Sequence, residues 1–273
     1  MLLKNLTIIS DSLKNKQHSI IKNSYTLITS IKNFKNQYQH INTYDFKDLF
    51  NNICIDDLNK VILNLFNQVN SAHPLDFNKG QFKSLLNFVT NNCFLYQNNT
   101  IYKQIKGVPQ GSPSSSQLAN MFLSNFETVE NIEDNMLLYR YIDDIIIFSK
   151  NPIDTPSFYP NYLELIKSNN NSNNINFLDI NIYRNDNGDI ITDIYDKRND
   201  YEFEIAKSQY FHSCLHRNVF RNIIVNQLIR INRLCSNINI NKQVELLKKH
   251  LQKYNYPKIF VNNLINRFKF HNS

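Results

Sequence analysis

Hydrophobic positions along this chain recur with two periods, and the switches between them mark its elements. Ile20, Ile21, Tyr25, Leu27, Ile28, Ile31 and Phe34 stand at helical spacing, which predicts mostly helix up to His40. The run INTYDF from Ile41 then predicts a short strand closing at Asp45. Leu58, Val61, Ile62, Leu65, Phe66 and Val69 return to i, i+3, i+4 spacing, a helix with Asp56-Asp57 as its N-cap and His73-Pro74 as its break. A helix followed by a strand is expected over residues 80–96, with a turn at Asn98-Asn99 and a partner strand from Ile101 to Ile105. The loop GVPQGSPSSS leads into a helix from about Ser115 to Glu130. LLYRYIDDIIIFS, residues 137–149, reads as a β-hairpin with Asp143 and Asp144 at its turn. After a loop from Pro152 to Pro160, a short helix is expected from Tyr162 to Lys167. SNNNSNN, residues 168–174, is a connector. NFLDINIYR and DIITDIYDK flank Asn187-Gly188 as a second hairpin. Three helices close the chain: Val219 to Leu234, Lys242 to Tyr254, and Pro257 to Phe270. No internal repeat is evident.

Composition changes near residue 205, where helices bearing Arg and Lys begin. The expected organisation is an N-terminal helical segment over 1–40, a sheet-bearing domain over 41–205 and a helical domain over 206–273. The chain has 273 residues with 42% hydrophobic content, enough for a sizeable core. Lys and Arg number 30 against 23 Asp and Glu, for a net charge of +7, which suits a polyanionic partner without identifying one. Cys54, Cys93, Cys214 and Cys235 form no CxxC pair, so free thiols in a reducing compartment are expected. Cys214 lies between His212 and His216, but a second ligand pair at zinc spacing is missing. No apolar run is long enough to span a bilayer, and MLLKNLTIIS is too short and polar for a signal peptide. The expected location is therefore intracellular, in nucleus or cytoplasm, and not secreted.

The candidate chemistry lies in the acids. A tight turn accommodates one Asp, but two adjacent carboxylates between apolar strands repel each other. A hard divalent cation with oxygen ligands relieves that repulsion; a solvated hairpin tip is the ordinary alternative. Asp45 ends another strand. If the strands are neighbours, the three acids converge, and two ions about 4 Å apart could clamp the attacking and leaving oxygens of a phosphoryl transfer. Gly107 and Gly111 are two of only four glycines. Their loop is either an ordinary helix-capping loop or a site of close ligand approach.

Taken in order, TYDFKDLFNNI, GVPQGSPSSSQLANMFLSNFE and YRYIDDIIIF resemble the palm motifs of reverse transcriptases, most closely the Penelope-like branch. INFLDINIYR, IYDKRND, FHSCLHRNVFRNIIVNQLIRINRLCS and YNYPKIFVNNL resemble that branch's later palm and thumb. The resemblance runs from about residue 22 to 268. It implies an α+β polymerase palm, its antiparallel sheet backed by helices, followed by a helical thumb. It also implies RNA-directed DNA polymerase activity on an RNA or DNA template with a primer, using deoxynucleoside triphosphates. Asp45, Asp143, Asp144 and the carbonyl of Phe46 would hold two Mg²⁺ ions, with Mn²⁺ a possible substitute. Phe50 would lie under the nucleotide's sugar and exclude a 2′-hydroxyl, although simple core packing also explains an aromatic there. Gln110 and Gly111 would contact the nucleotide, Tyr141 the primer end, and Lys167 would donate a proton to pyrophosphate. Arg217, Arg221, Arg230 and Arg233 would meet the phosphates of a hybrid duplex.

Ser116 replaces a proline common in the second motif. Only 44 residues precede Asp45, so the fingers region is expected to be much reduced or absent, or supplied by a partner chain. The alternative function is a non-catalytic or degenerate reverse-transcriptase-derived protein that binds nucleic acid or serves as a scaffold. An RNA-templated RNA polymerase is a third reading, against which Phe50 and YIDD argue.

Overall fold

Alternation builds the central sheet. In HINTYDF, Asn42, Tyr44 and Phe46 project to one face and Ile41, Thr43 and Asp45 to the other. The first set is buried, and Asp45 is exposed at the end of the second. The computed structural model describes residues 2–14, 19–32, 34, 37–72, 74–128, 135–153, 155–169, 174–203 and 205–270. In chain order these form α1 (Leu2–Lys14), α2 (Ser24–Ile31), β1 (His40–Phe46), α3 (Leu49–Asn52), α4 (Ile55–Ala72), α5 (Lys79–Asn91), β2 (Phe94–Gln97), β3 (Thr100–Lys103), α6 (Ser115–Ser124), β4 (Met136–Tyr141), β5 (Asp144–Ser149), β6 (Leu165–Lys167), β7 (Asn174–Phe177), β8 (Ile180–Arg184), β9 (Ile190–Ile194), α7 (Arg217–Leu234), α8 (Asn237–Lys253) and α9 (Lys258–Arg267). The architecture is mixed α+β, with an antiparallel sheet flanked by helices.

By packing, the chain divides into two compact units. One comprises Met1–Lys22 with Tyr38–Asn170, the other Asn23–Gln37 with Asn171–Ser273. The first holds an antiparallel four-stranded sheet in the order β4-β5-β1-β6. Tyr44, Phe46, Ile145, Ile147, Met136 and Leu138 line the face that shares a core with residues of α1, α4, α5 and α6. Phe66 and Phe82 stack at 4.3 Å and lock α4 to α5. Burying each such ring contributes about 1.5–3 kcal/mol. Asn78 and Gln81 close a reciprocal capping box that starts α5. Asp56 and Asp57 lie in the first turn of α4, one step inside the expected cap, where carboxylates favour the helix's positive end. His73, the expected break, lies outside the described residues. α6 stops at Ser124 rather than near Glu130, which is itself outside the described residues.

Two elements differ from the pattern-based expectation. The segment expected as a helix from Tyr162 to Lys167 is the strand β6, paired along β1 with Phe46 opposite Leu165 and Asp45 opposite Ile166. Three residues are too few to show a period, and the unpaired edge of β1 decides the matter by offering backbone partners. NFLDINIYR is two strands rather than one. It turns at Leu178-Asp179, with Leu178 at a φ of 52°. The apolar phase slips by one residue there, from Ile175 and Phe177 to Leu178, Ile180 and Ile182, so that slip and Asp179 were its local signs.

The second unit contains α2, the sheet β7-β8-β9 and helices α7 to α9. The expected hairpin at Asn187-Gly188 is present, with Gly188 at a φ of 77°. The partition groups this sheet with the C-terminal helices, whereas composition joined it to the 41–205 segment. Phe220, Ile224, Leu228, Ile231, Leu251 and Tyr256 form the helical core. Buried Asp193 on β9 accepts from Lys242 Nζ at 2.8 Å and Gln243 Nε2 at 2.5 Å, stitching the sheet to α8. Among the described residues no helix is long and apolar enough to cross a membrane.

The β1–β6 register is directly testable. Facing residues of an antiparallel pair lie about 4.5–5.5 Å apart between Cα atoms, within the range a disulfide spans. A chain carrying Asp45→Cys and Ile166→Cys is expected to cross-link on mild oxidation. One carrying Asp45→Cys and Lys167→Cys is not, because those side chains leave opposite faces. Non-reducing peptide mapping distinguishes the two.

Candidate active site

The register of β1 against β5 places Asp45 directly opposite Asp144. Facing residues of an antiparallel pair project to the same side of the sheet, so residues almost a hundred positions apart share one face at one end. Asp143 is adjacent: its carbonyl accepts from the Phe46 amide at 3.4 Å. The hairpin differs in detail from expectation. Its turn consists of Ile142 and Asp143, closed by the pair Tyr141–Asp144, so Asp144 opens β5 rather than sitting in the turn. Asp45 is exposed, and Asp143, Asp144 and Tyr141 are half-buried.

Ile142 has a φ of 57°. A left-handed first turn residue is what a two-residue hairpin of the II′ kind requires, and glycine usually fills it. A β-branched side chain there is strained by about 1–3 kcal/mol and persists only where its surroundings impose it.

The remaining predicted residues fall into two groups. Phe46 is buried, its ring edge-on to Tyr159 at 4.9 Å, while its backbone stays beside the acids. Phe50 is half-buried against the core, and its carbonyl accepts from the Val108 amide at 2.6 Å. That bond draws the Gly/Pro/Ser loop onto α3, just after β1. Gly107 makes the approach possible: its φ is 76°, and a Cβ there would lie 2.5 Å from the Phe50 oxygen. Gln110 and Gly111 are exposed on the same loop, and a Cβ on Gly111 would meet nothing within 4 Å. The Val108 bond thus joins their loop to α3, which follows β1. Lys167 faces Tyr44, on the side of the sheet away from Asp45.

In the second unit, Arg217 and Arg221 are exposed on the first turns of α7. Arg230 pairs with Asp179 at 3.3 Å, and Arg233 lies over the Tyr25 ring at 5.8 Å. Nine positions separate Arg221 from Arg230, so at about 100° per residue they emerge on opposite sides of the helix.

Sequence reasoning missed Arg140, Glu127, Asn120 and Tyr159. Arg140 is fully buried and pairs with Glu127 directly beneath the acid turn. A signal existed: Arg140 follows Met136 and Leu138 on the core face of β4, and a charge at a core position requires a partner. Among the described residues no group of three His, Cys, Asp or Glu side chains stands arranged to hold a metal ion.

Residues 1–177 match the family described as reverse transcriptase (RNA-dependent DNA polymerase), and residues 210–266 match the animal helix-turn-helix domain. No curated protein matches. Among solved structures, telomerase from Candida albicans bound to a fragment of telomeric RNA is similar with a TM-score of 0.59 at 11% identity, over 98% of this chain and 49% of that one. Apo telomerase from Candida tropicalis gives 0.58 at 14% identity, over 96% and 50%. Its form truncated from the C-terminal domain gives 0.54 at 16%, over 70% and 45%. The likeness is one of fold, and the chain spans about half the length of these structures.

Gly107→Ala is expected to destabilise the protein by about 1–3 kcal/mol, since the left-handed backbone and the closeness of Phe50 both oppose a side chain. The change should appear as a lower urea midpoint with an unchanged slope.

Proposed function

This chain belongs to the reverse transcriptase (RNA-dependent DNA polymerase) family, and we propose that it binds a primed nucleic-acid strand on that family's palm. The finer reading is RNA-directed DNA polymerase activity, and the placement of Asp45 opposite Asp144 carries it. The donor set suits a hard divalent ion, since carboxylates of facing strands share an open end of the sheet. Asp45, Asp143, Asp144 and the Phe46 carbonyl would hold Mg²⁺, or Mn²⁺ in its place. Bound there, the metal would supply Lewis-acid activation of a primer 3′-hydroxyl and neutralise triphosphate charge.

The chain's own residues then divide the remaining work. The Phe50 ring would sit under the sugar and exclude a 2′-hydroxyl, Gln110 and Gly111 would orient the nucleotide, and Tyr141 would pack beside the primer end. The tie from Val108 to the Phe50 carbonyl supports this grouping, because it holds the two motifs together. Exposed Arg217 and Arg221 would meet phosphates. The motif wording from TYDFKDLFNNI to YRYIDDIIIF supports the Penelope-like branch as the finer placement.

The second reading keeps nucleic-acid binding and drops the chemistry, leaving a scaffold derived from a reverse transcriptase. It is favoured by the lack, among the described residues, of three side chains already arranged as metal ligands.

Primer extension with separate deoxy- and ribonucleotide pools, on RNA and DNA templates, decides between them. Under the polymerase reading the chain extends primers with deoxynucleotides, and Asp144→Asn lowers that rate by about 10²-fold or more without lowering the unfolding midpoint. Binding without extension leaves the scaffold. Phe50→Ala should admit ribonucleotides, and unchanged sugar selectivity would remove its gating role. Arg217→Ala and Arg221→Ala should each reduce the salt dependence of binding by about one counterion-release unit.

A further inference from the structure

The Arg140 guanidinium is wholly enclosed, and all five of its N–H groups are engaged. Nε donates to Glu127 Oε1, and one terminal nitrogen donates to Glu127 Oε2 at 3.1 Å. The same nitrogen reaches the Asn120 carbonyl at 3.3 Å. The other terminal nitrogen donates to Asn120 Oδ1 at 2.6 Å and to the Ile142 carbonyl at 3.0 Å. Glu127 is equally occupied, accepting from Tyr159 Oη at 2.9 Å and Ser19 Oγ at 3.1 Å as well. Burial works against the charge on Arg140, but the Glu127 carboxylate outweighs it and holds the guanidinium above its ordinary value. Burial, then the same carboxylate, pushes the Tyr159 phenol well above its usual range, so it remains a donor.

Stability alone is a weak reason to keep such a pair, since apolar residues of similar volume often stabilise a core at least as well. What an apolar pair could not do is reach two places at once. Asn120 lies on α6, the helix that follows the Gln110–Gly111 loop. Ile142 is the left-handed residue of the acid turn. The Arg140 backbone is itself fixed between Ser19 and Ile21.

We infer that Arg140 is a positioning residue: it couples the loop-bearing helix to the strained acid turn and so fixes where Asp143 and Asp144 stand relative to the nucleotide loop. Its kinetic consequence rests on the polymerase reading, whereas its structural consequence does not.

The test compares the wild-type chain with Arg140→Lys and with the double variant Arg140→Met/Glu127→Met. The double variant removes both charges and avoids leaving either one buried alone. Both variants are expected to fold with a lowered unfolding midpoint, because the buried acceptors of Asn120 and Ile142 lose donors. Amide exchange over residues 136–149 should rise about tenfold more than over α4 and α5, as a locally loosened hairpin requires. The turnover rate in primer extension should fall about 100-fold, the scale of a misplaced reacting group, with KM for the deoxynucleotide little changed. A folded double variant with wild-type exchange in that segment, or with wild-type turnover, overturns the proposal. If the double variant does not fold, Arg140→Lys decides, because its ammonium lacks the fork and wild-type exchange in it would overturn the proposal equally. If the wild-type chain extends no primer, the polymerase reading falls and the exchange measurement still settles the positioning role.

Discussion

The pairing of β1 with β5 is the constraint on which the rest of the site depends. Side chains alternate along a strand, so a slip of one residue would send every side chain to the other face. Tyr44 and Phe46 on β1, with Ile145 and Ile147 on β5, are buried together on the helix-covered face, and Ile41, Ile146 and Phe148 are buried on the other, so both faces pack only in this register. The same register forces Asp45 against Asp144. The acids gain nothing in apolar burial from that placement, whereas the four apolar side chains on the helix-covered face bury at about 1.5–3 kcal/mol each. Core packing therefore determines where the acids stand.

Strain at the turn follows from the same geometry. A two-residue connection between β4 and β5 needs a left-handed residue, and the sequence supplies Ile142 rather than glycine. Ladder pairs on both sides and the Arg140 donor to its carbonyl hold it there. The second unit repeats the device in Leu178-Asp179, another apolar left-handed residue followed by an acid. There Asp179 accepts from Arg230 and from the Ser24 hydroxyl. In both hairpins a charged partner stabilises the turn, but the first Arg is buried within its own strand and the second is half-exposed on a helix.

The loop before α6 is fixed by close approach rather than by charge. Gly107 permits a backbone contact with α3 that any side chain would block, and the Val108 amide completes it. One anchor thus holds the loop against α3, while Arg140 holds its helix against the acid turn. Family membership and the fold shared with telomerases agree with this arrangement of palm elements.

From the sequence alone came the elements with a sustained period, the order of the motifs, Asp45 at a strand end, and Asp143 with Asp144 at a hairpin turn, of which Asp144 proved to open β5. Those features are local, since side-chain period and turn chemistry act over a few residues. The structure differs where local signals were weak. Three residues of β6 carry no period, and the turn at Leu178 shows only as a one-residue slip in the alternation. Composition drew a boundary near residue 205, while packing drew it after Asn170 because β7 to β9 bond to the C-terminal helices. Arg140 could be recognised as misplaced in an apolar strand but not understood. Its partners lie 13 to 20 positions away at Glu127 and Asn120 and have meaning only when the helix and turn meet. The chain's pattern chose which surfaces are apolar and where the acids lie. Only the folded ladder, which brings distant backbone groups into register, made those acids neighbours.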